Sequence, residues 1–261
     1  MTRTYNRRTI LATIGAAGAL TVGSGVVGGR SPPYTKYTYA QTGAEGLRVS
    51  VAWYERYNGE FLEAQNDSTE TNATTVTDPH QPPFYVPETT GPILTLANVL
   101  PGDSGAVLVG LLAEQVPETL EGADLWFRPV LTGNEENGVT EPELKHGDED
   151  DVSENGSGEL ADALTVQLFI DDGLVGGCDG RYGVFDSAII DQTSLRNAFV
   201  SLESGVKLTD SCLNAGDHRC LGLAWELPAA TGNVVQTDSV SFDLEFVGVG
   251  CGSENPWGGS P

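Results

Sequence analysis

The sequence predicts an all-β domain with one or two short helices and long acidic loops. Glycine (33) and proline (14) are frequent among the 261 residues, Val and Thr are abundant, and the single Met is the first residue. Apolar and polar residues alternate over several stretches of strand length, the period of a sheet with one buried face. Turn-forming residues separate these stretches.

Taken in order, Leu47, Val49, Val51 and Trp53 alternate with Arg48, Ser50 and Ala52. Tyr57-Asn58-Gly59-Glu60 then supplies the Asn-Gly pair that a two-residue hairpin favours, because its central residues need positive φ. Ala106 to Leu112 is a nearly continuous apolar run, as in a strand covered on both faces. Leu125 to Leu131 is another strand, placed at a sheet edge by Pro129, which has no N–H for a ladder. Leu164, Val166, Leu168 and Ile170 line one strand face, and Leu221, Leu223, Trp225 and Leu227 another. The clearest alternation is Val240, Phe242, Leu244 and Phe246, interleaved with Ser239, Ser241, Asp243 and Glu245. Leu195, Ala198, Phe199 and Leu202 have helical spacing, with Thr193 or Ser194 to cap the start and Gly205 to stop the helix. Glu63 to Gly91 and the acidic stretch Gly133 to Gly158 read as long surface loops. They hold three glycosylation sequons, at Asn66, Asn72 and Asn155.

The N-terminus has the layout of a twin-arginine export signal. Arg7-Arg8 precedes a mildly apolar run from Thr9 to Val27 that is interrupted by Gly15, Gly18, Gly23 and Gly25. A removed signal is favoured over a permanent anchor, with cleavage expected between Gly29 and Gln41. The chain divides into signal and N-terminal arm (1–40), domain (41–251) and C-terminal tail (252–261). The membrane is then met only in transit, and the product is secreted or held at the cell surface.

Charge points the same way. The first 44 residues contain no Asp or Glu, so the remaining 217 carry 37 acids against 8 bases, a net of −29. Such a surface stays hydrated in concentrated salt, where the Debye length falls to roughly 3 Å and self-repulsion is screened. This reads as the composition of a halophile's secreted protein, and the rival reading is an acidic, calcium-loaded module. With no basic patch to neutralise phosphates, nucleic acid is not an expected partner. No phosphate-cradling loop is present, and no small-molecule cofactor is expected.

Cys178, Cys212, Cys220 and Cys251 make an even count, which suits two disulfides outside the cytoplasm. Three pairings are open. Cys212 and Cys220 enclose a short loop that suits a local bridge, and Cys178 and Cys251 each follow a strand whose ends they would tie. The rival is a zinc site on Cys212, His218 and Cys220, but no CxxC pair supports it. Asp171, Asp172 and Asp179 flank a strand end where calcium is a weaker alternative. Gly102-Asp103-Ser104-Gly105 resembles a serine-protease nucleophile segment, yet only His80 precedes it. A turn accounts for it better, since Pro101 sets φ, Gly102 accepts positive φ and Asp103 can bond the backbone. No catalytic residue and no metal ligand is assigned.

Leu96-Ala97-Asn98-Val99-Leu100-Pro101-Gly102-Asp103 resembles the "L-x-N-x-x-P-G-D" segment of the TasA/camelysin family. Gly158 to Leu164, the helical stretch from Leu195 to Leu208, and Leu223-Ala224-Trp225-Glu226-Leu227-Pro228 follow in the family's order. Asn233, Gln236 and Asp238 then match its "G-N-x-x-Q-x-D-S" signature before the closing strand. The resemblance implies a jelly-roll-like antiparallel β-sandwich exported to the cell surface, with subunits that polymerise into biofilm-matrix fibres. In such fibres an N-terminal strand of one subunit completes the sheet of the next, so the expected partner is another copy or a related matrix subunit. One branch of the family is described as a metallopeptidase, which is the alternative activity.

The expected donor strand is Tyr34, Thr35, Lys36, Tyr37, Thr38, Tyr39 and Ala40. It is rich in β-favouring residues and follows two prolines that resist helix.

Overall fold

The computed structural model describes residues 4–5, 36–39, 41–42, 46–62, 94–138, 140–145, 157–171, 178 and 180–258. Most of the expected signal segment, Tyr34, Thr35, Ala40, the stretch from Glu63 to Gly91 (which includes His80), Asp172, Asp179 and the sequon positions Asn66, Asn72 and Asn155 lie outside them.

The described residues form an all-β sandwich of two sheets with short helices between strands. The strands are β1 (Thr4–Tyr5), β2 (Lys36–Tyr39), β3 (Gln41–Thr42), β4 (Arg48–Tyr57), β5 (Glu60–Leu62), β6 (Leu94–Ala97), β7 (Ser104–Gln115), β8 (Ala123–Glu135), β9 (Thr165–Ile170), β10 (Ser187–Ser194), β11 (Val206–Lys207), β12 (His218–Glu226) and β13 (Ser239–Gly250). The helices are α1 (Glu141–Lys145), α2 (Leu160–Ala163) and α3 (Leu195–Ser201), with a 3-10 turn at Asn233–Val235. One sheet has the order β1-β6-β13-β8-β11, with β3 also on β13; the other runs β10-β9-β12-β7-β4-β2, with β5 also on β4. All pairings are antiparallel except the two-residue contacts β1–β6 and β3–β13. Among the described residues no helix is long and apolar enough to cross a membrane.

The alternation read from the sequence becomes the shared core. Val240, Phe242, Leu244 and Phe246 of β13 meet Val166 and Leu168 of β9 and Leu221, Leu223 and Trp225 of β12 in one buried cluster. The unbroken apolar run of β7 is buried on both faces from Ala106 to Leu111, and its two edges are taken by β12 and β4. The Asn-Gly hairpin forms between β4 and β5, with Asn58 at φ 47° and Gly59 at φ 80°. Helix α3 starts at Ser194, whose side chain accepts from the Asn197 N–H, and Gly205 takes φ 80° beyond its end. Leu195, Ala198, Phe199 and Leu202 are its buried face.

Three expectations need correction. The strand holding Pro129 is not an outermost strand: β8 lies between β13 and β11. Because β11 meets it only at Trp126 and Phe127, Pro129 falls where that flank carries no described ladder partner. The acidic stretch from Gly133 is not loop throughout, since β8 runs to Glu135 and α1 follows.

The disulfides are Cys178–Cys220 and Cys212–Cys251, with Cα separations of 5.5 and 5.6 Å. The local Cys212–Cys220 bridge and the Cys178–Cys251 tie are therefore not formed. Sheet register explains this. Ala123 pairs with Gly250 on one side and Leu213 on the other, so Cys251 and Cys212 are each one residue beyond a partner of the same strand end. Cys220 accepts the Asp171 N–H through its carbonyl at 2.9 Å, and the Cys178 N–H returns to the Asp171 carbonyl at 3.2 Å.

Candidate functional site

The residues singled out by motif gather at two places. Asn98 takes positive φ (56°) after β6, and Leu100-Pro101-Gly102-Asp103 closes a turn in which the Asp103 N–H bonds the Leu100 carbonyl at 2.8 Å. Gly102 sits at φ 93°, a conformation that favours glycine. The Asp103 carboxylate accepts from the Leu100 N–H at 2.8 Å, from Asn58 Nδ2 at 2.9 Å and from the Tyr57 hydroxyl. Asn58 Oδ1 accepts the Ser104 N–H at 2.8 Å. The turn therefore locks the β4–β5 hairpin to the start of β7. It is also fastened to the end of β12, through Gly102 N–H to Leu227 O at 2.7 Å and Leu227 N–H to Asp103 O at 2.9 Å. Trp225 stands on Gly105, where an added Cβ would lie 2.5 Å from the indole. Pro228, which follows Leu227, accepts the Thr231 N–H through its carbonyl at 2.9 Å. Asp103 and Trp225 thus act as ties between strands. His218, at the far end of β12, pairs with Leu112 while Glu226 pairs with Ser104, so it is remote from that serine.

The second place centres on Asp238. The 3-10 turn that holds Asn233 leads through Gln236, whose N–H bonds Asn233 O at 3.2 Å, into the start of β13. Pairing of Ser239 with Glu135 and Val240 with Asn134 sets Glu136 opposite Asp238, one step beyond the ladder. Opposed like charges are destabilising in a sheet. Glu143, from α1, completes a trio whose ligand-capable oxygens lie within 4.8 Å of one another. Asp238 and Glu143 are both 0 % exposed.

The two buried carboxylates differ in satisfaction. Glu143 reaches back to accept the Thr140 N–H, one half of a capping box, and also accepts the N–H and hydroxyl of Thr237, both at 2.9 Å; the Thr140 hydroxyl is buried without a partner. Burial pushes its carboxyl up, but the Thr140 and Thr237 donors outweigh that and leave it below the usual range. Asp238 accepts one backbone N–H through Oδ2, from Leu160 at 2.9 Å at the start of α2. Its Oδ1 is buried with no donor. Burial, then the adjoining Glu136 and Glu159, push its carboxyl up to about 8 against the opposing Leu160 hydrogen bond. Gly158 passes so close that an added Cβ would lie 2.7 Å from the Asp238 carboxyl carbon.

Sequence reading singled out Asp238 through the motif but missed Glu136 and Glu143. Thr140-x-x-Glu143 was the available signal, a capping box inside a stretch read as loop. A second cluster, Asp124 with Cys212 and Cys251, is differently built. Its sulfurs are joined in a disulfide, and Asp124 is satisfied by Lys207 Nζ at 2.9 Å, the Thr209 hydroxyl at 3.1 Å and the Gly252 N–H at 2.8 Å. The rival zinc set of Cys212, His218 and Cys220 is not formed, because the two cysteines sit in different disulfides. Asp171 accepts the Cys178 and Gly180 N–H groups at 2.9 and 2.7 Å and so anchors the turn that carries the first disulfide.

The sheet edges differ too. β10, at one margin of the larger sheet, carries two register irregularities against β9 and an exposed Asp191, features that deter further pairing. At the other margin, Lys36 to Tyr39 of the expected donor segment form β2, in unbroken register on residues 50–53 of β4. Comparison with protein-family models, curated proteins and solved structures found no match.

Proposed function

We propose that the protein is an exported structural subunit of the cell surface or extracellular matrix, joined to its neighbours by exchange of β2. The observation that carries this is the place of β2 in the sheet. It is a short N-terminal strand at a margin, attached through backbone pairs from Lys36↔Trp53 to Tyr39↔Ser50. Another copy's Lys36–Tyr39 segment offers the same pairs, so exchange preserves the ladder while linking two molecules. On the same flank β5 covers β4 from Glu55 to Tyr57, so withdrawal of β2 opens a defined gap rather than a whole edge.

Other features favour an extracellular scaffold. Two long-range disulfides suit an oxidising compartment. The acidic composition suits dispersion in strong salt until a specific strand is accepted.

Deletion of residues 34–40 from the mature protein tests the proposal. Electron microscopy in molar salt is expected to show filaments with the intact protein and none with the deletion. Filaments that persist after the deletion, or an intact protein that stays monomeric, overturn it.

A further inference from the structure

We propose that Glu136, Glu143 and Asp238 hold one calcium ion, which fastens α1 and the start of α2 to the β8–β13 ladder. The inference is independent of strand exchange and rests on a buried carboxylate oxygen, Asp238 Oδ1, that no donor reaches, while the Thr140 hydroxyl nearby is buried without a partner too. The Thr237 hydroxyl has one proton, yet its oxygen lies 2.9 Å from Glu143 Oε1, 3.2 Å from Glu136 Oε1 and within bonding reach of the Gly138 carbonyl. One proton satisfies one of these three acceptors. Asp238 Oδ1 is buried beside them with no donor at all. Among the described residues no Lys, Arg or His pairs with any of the three acids. A cluster of negative oxygens in the interior needs a counter-charge.

The donor set selects the ion. All the groups are oxygens: three carboxylates, a hydroxyl and a backbone carbonyl. Hard cations prefer such ligands, and calcium accepts six to eight oxygens at roughly 2.3–2.6 Å in flexible geometry. The three carboxylate oxygens lie within 4.8 Å of one another, close enough for one ion to touch all three. Magnesium demands a tighter octahedron and retains its waters, so it is the weaker candidate. Gly158 packs its backbone against the Asp238 carboxyl, so any side chain there would collide with it.

The competing arrangement is a proton shared between Asp238 and Glu136. The two are separated with the full chain, its disulfides intact, stripped with chelator and returned to molar NaCl, where loose binding to surface acids is screened. Calcium chloride is titrated in, with magnesium chloride in parallel, following both bound metal per chain and the thermal midpoint. The expected result is one calcium bound per chain and a midpoint that rises with calcium concentration. Asp238→Asn removes the orphaned charge without loss of volume, so it remains folded. It is expected to weaken calcium binding by at least about tenfold, since calcium affinity follows ligand charge. Glu136→Gln should act alike. Calcium binding of unchanged strength in both variants places the ion elsewhere and overturns the proposal. A wild-type protein that binds no calcium, with Asp238→Asn melting at or above it, assigns the site to a shared proton.

Discussion

Replacing Cys212 and Cys251 together by serine is expected to lower stability by about 4 kcal/mol, and so is replacing Cys178 and Cys220 together. Each bridge closes a long loop, with sequence separations of 39 and 42, and the entropy withheld from the unfolded chain sets that magnitude. The cross-paired variant is more telling. Cys212→Ser with Cys220→Ser removes one partner from each bridge and leaves Cys178 and Cys251 as widowed thiols. It should cost roughly the sum of both bridges, enough to unfold a domain of ordinary stability. Had the local bridge existed, this variant would have been the mild one. Denaturant titration in molar salt reads the difference, and peptide mapping without reduction reads the pairing.

The second large effect is expected where Phe169 of β9 lies over Gly222 of β12. Phe169 is fully buried, and these two residues are register partners. A Cβ on Gly222 would sit 2.2 Å from the ring, so the strand lacks a side chain there because the phenyl fills its place. Phe169→Ala should cost about 3–5 kcal/mol as a cavity opens, and Gly222→Ala about 1–3 kcal/mol by overpacking. The two should not add. With the ring gone the new methyl has room, so the double variant should be more stable than the sum of the singles implies by at least about 0.5 kcal/mol. Strict additivity in denaturant titrations would contradict the contact.

These two cases mark what sequence could and could not reveal. Strands with one wet face announced themselves: Val240, Phe242, Leu244 and Phe246 are buried, while Ser241, Asp243 and Glu245 between them are only partly so. The doubly covered β7 was legible as a continuous apolar run. β10 was not, because at the sheet margin its exposure does not alternate residue by residue, and Ser187-Ala188-Ile189-Ile190-Asp191-Gln192 carries no period of two. Disulfide pairing stayed open for a different reason. It depends on Gly250 and Leu213 both flanking Ala123, a register between segments far apart in the chain. The carboxylate trio has the same origin, since Glu136 and Asp238 meet only because β8 and β13 pair as they do. Within the motifs, Pro101-Gly102-Asp103 was correctly read as a turn from its local chemistry, but its attachment to Tyr57 and Leu227 was visible only in three dimensions.

Strand exchange is tested most directly by placing single new cysteines at register partners in separate molecules. Thr38 of β2 pairs with Val51 of β4. One preparation carries Thr38→Cys and another Val51→Cys, each with the native disulfides retained. Mixed under mild oxidation at molar salt, they should form a disulfide-linked heterodimer joined through Cys at 38 and 51, identified by peptide mapping, with neither homodimer matching its yield. A mixture that stays monomeric, while a single chain carrying both substitutions closes the bridge internally, would show that β2 serves only its own sheet.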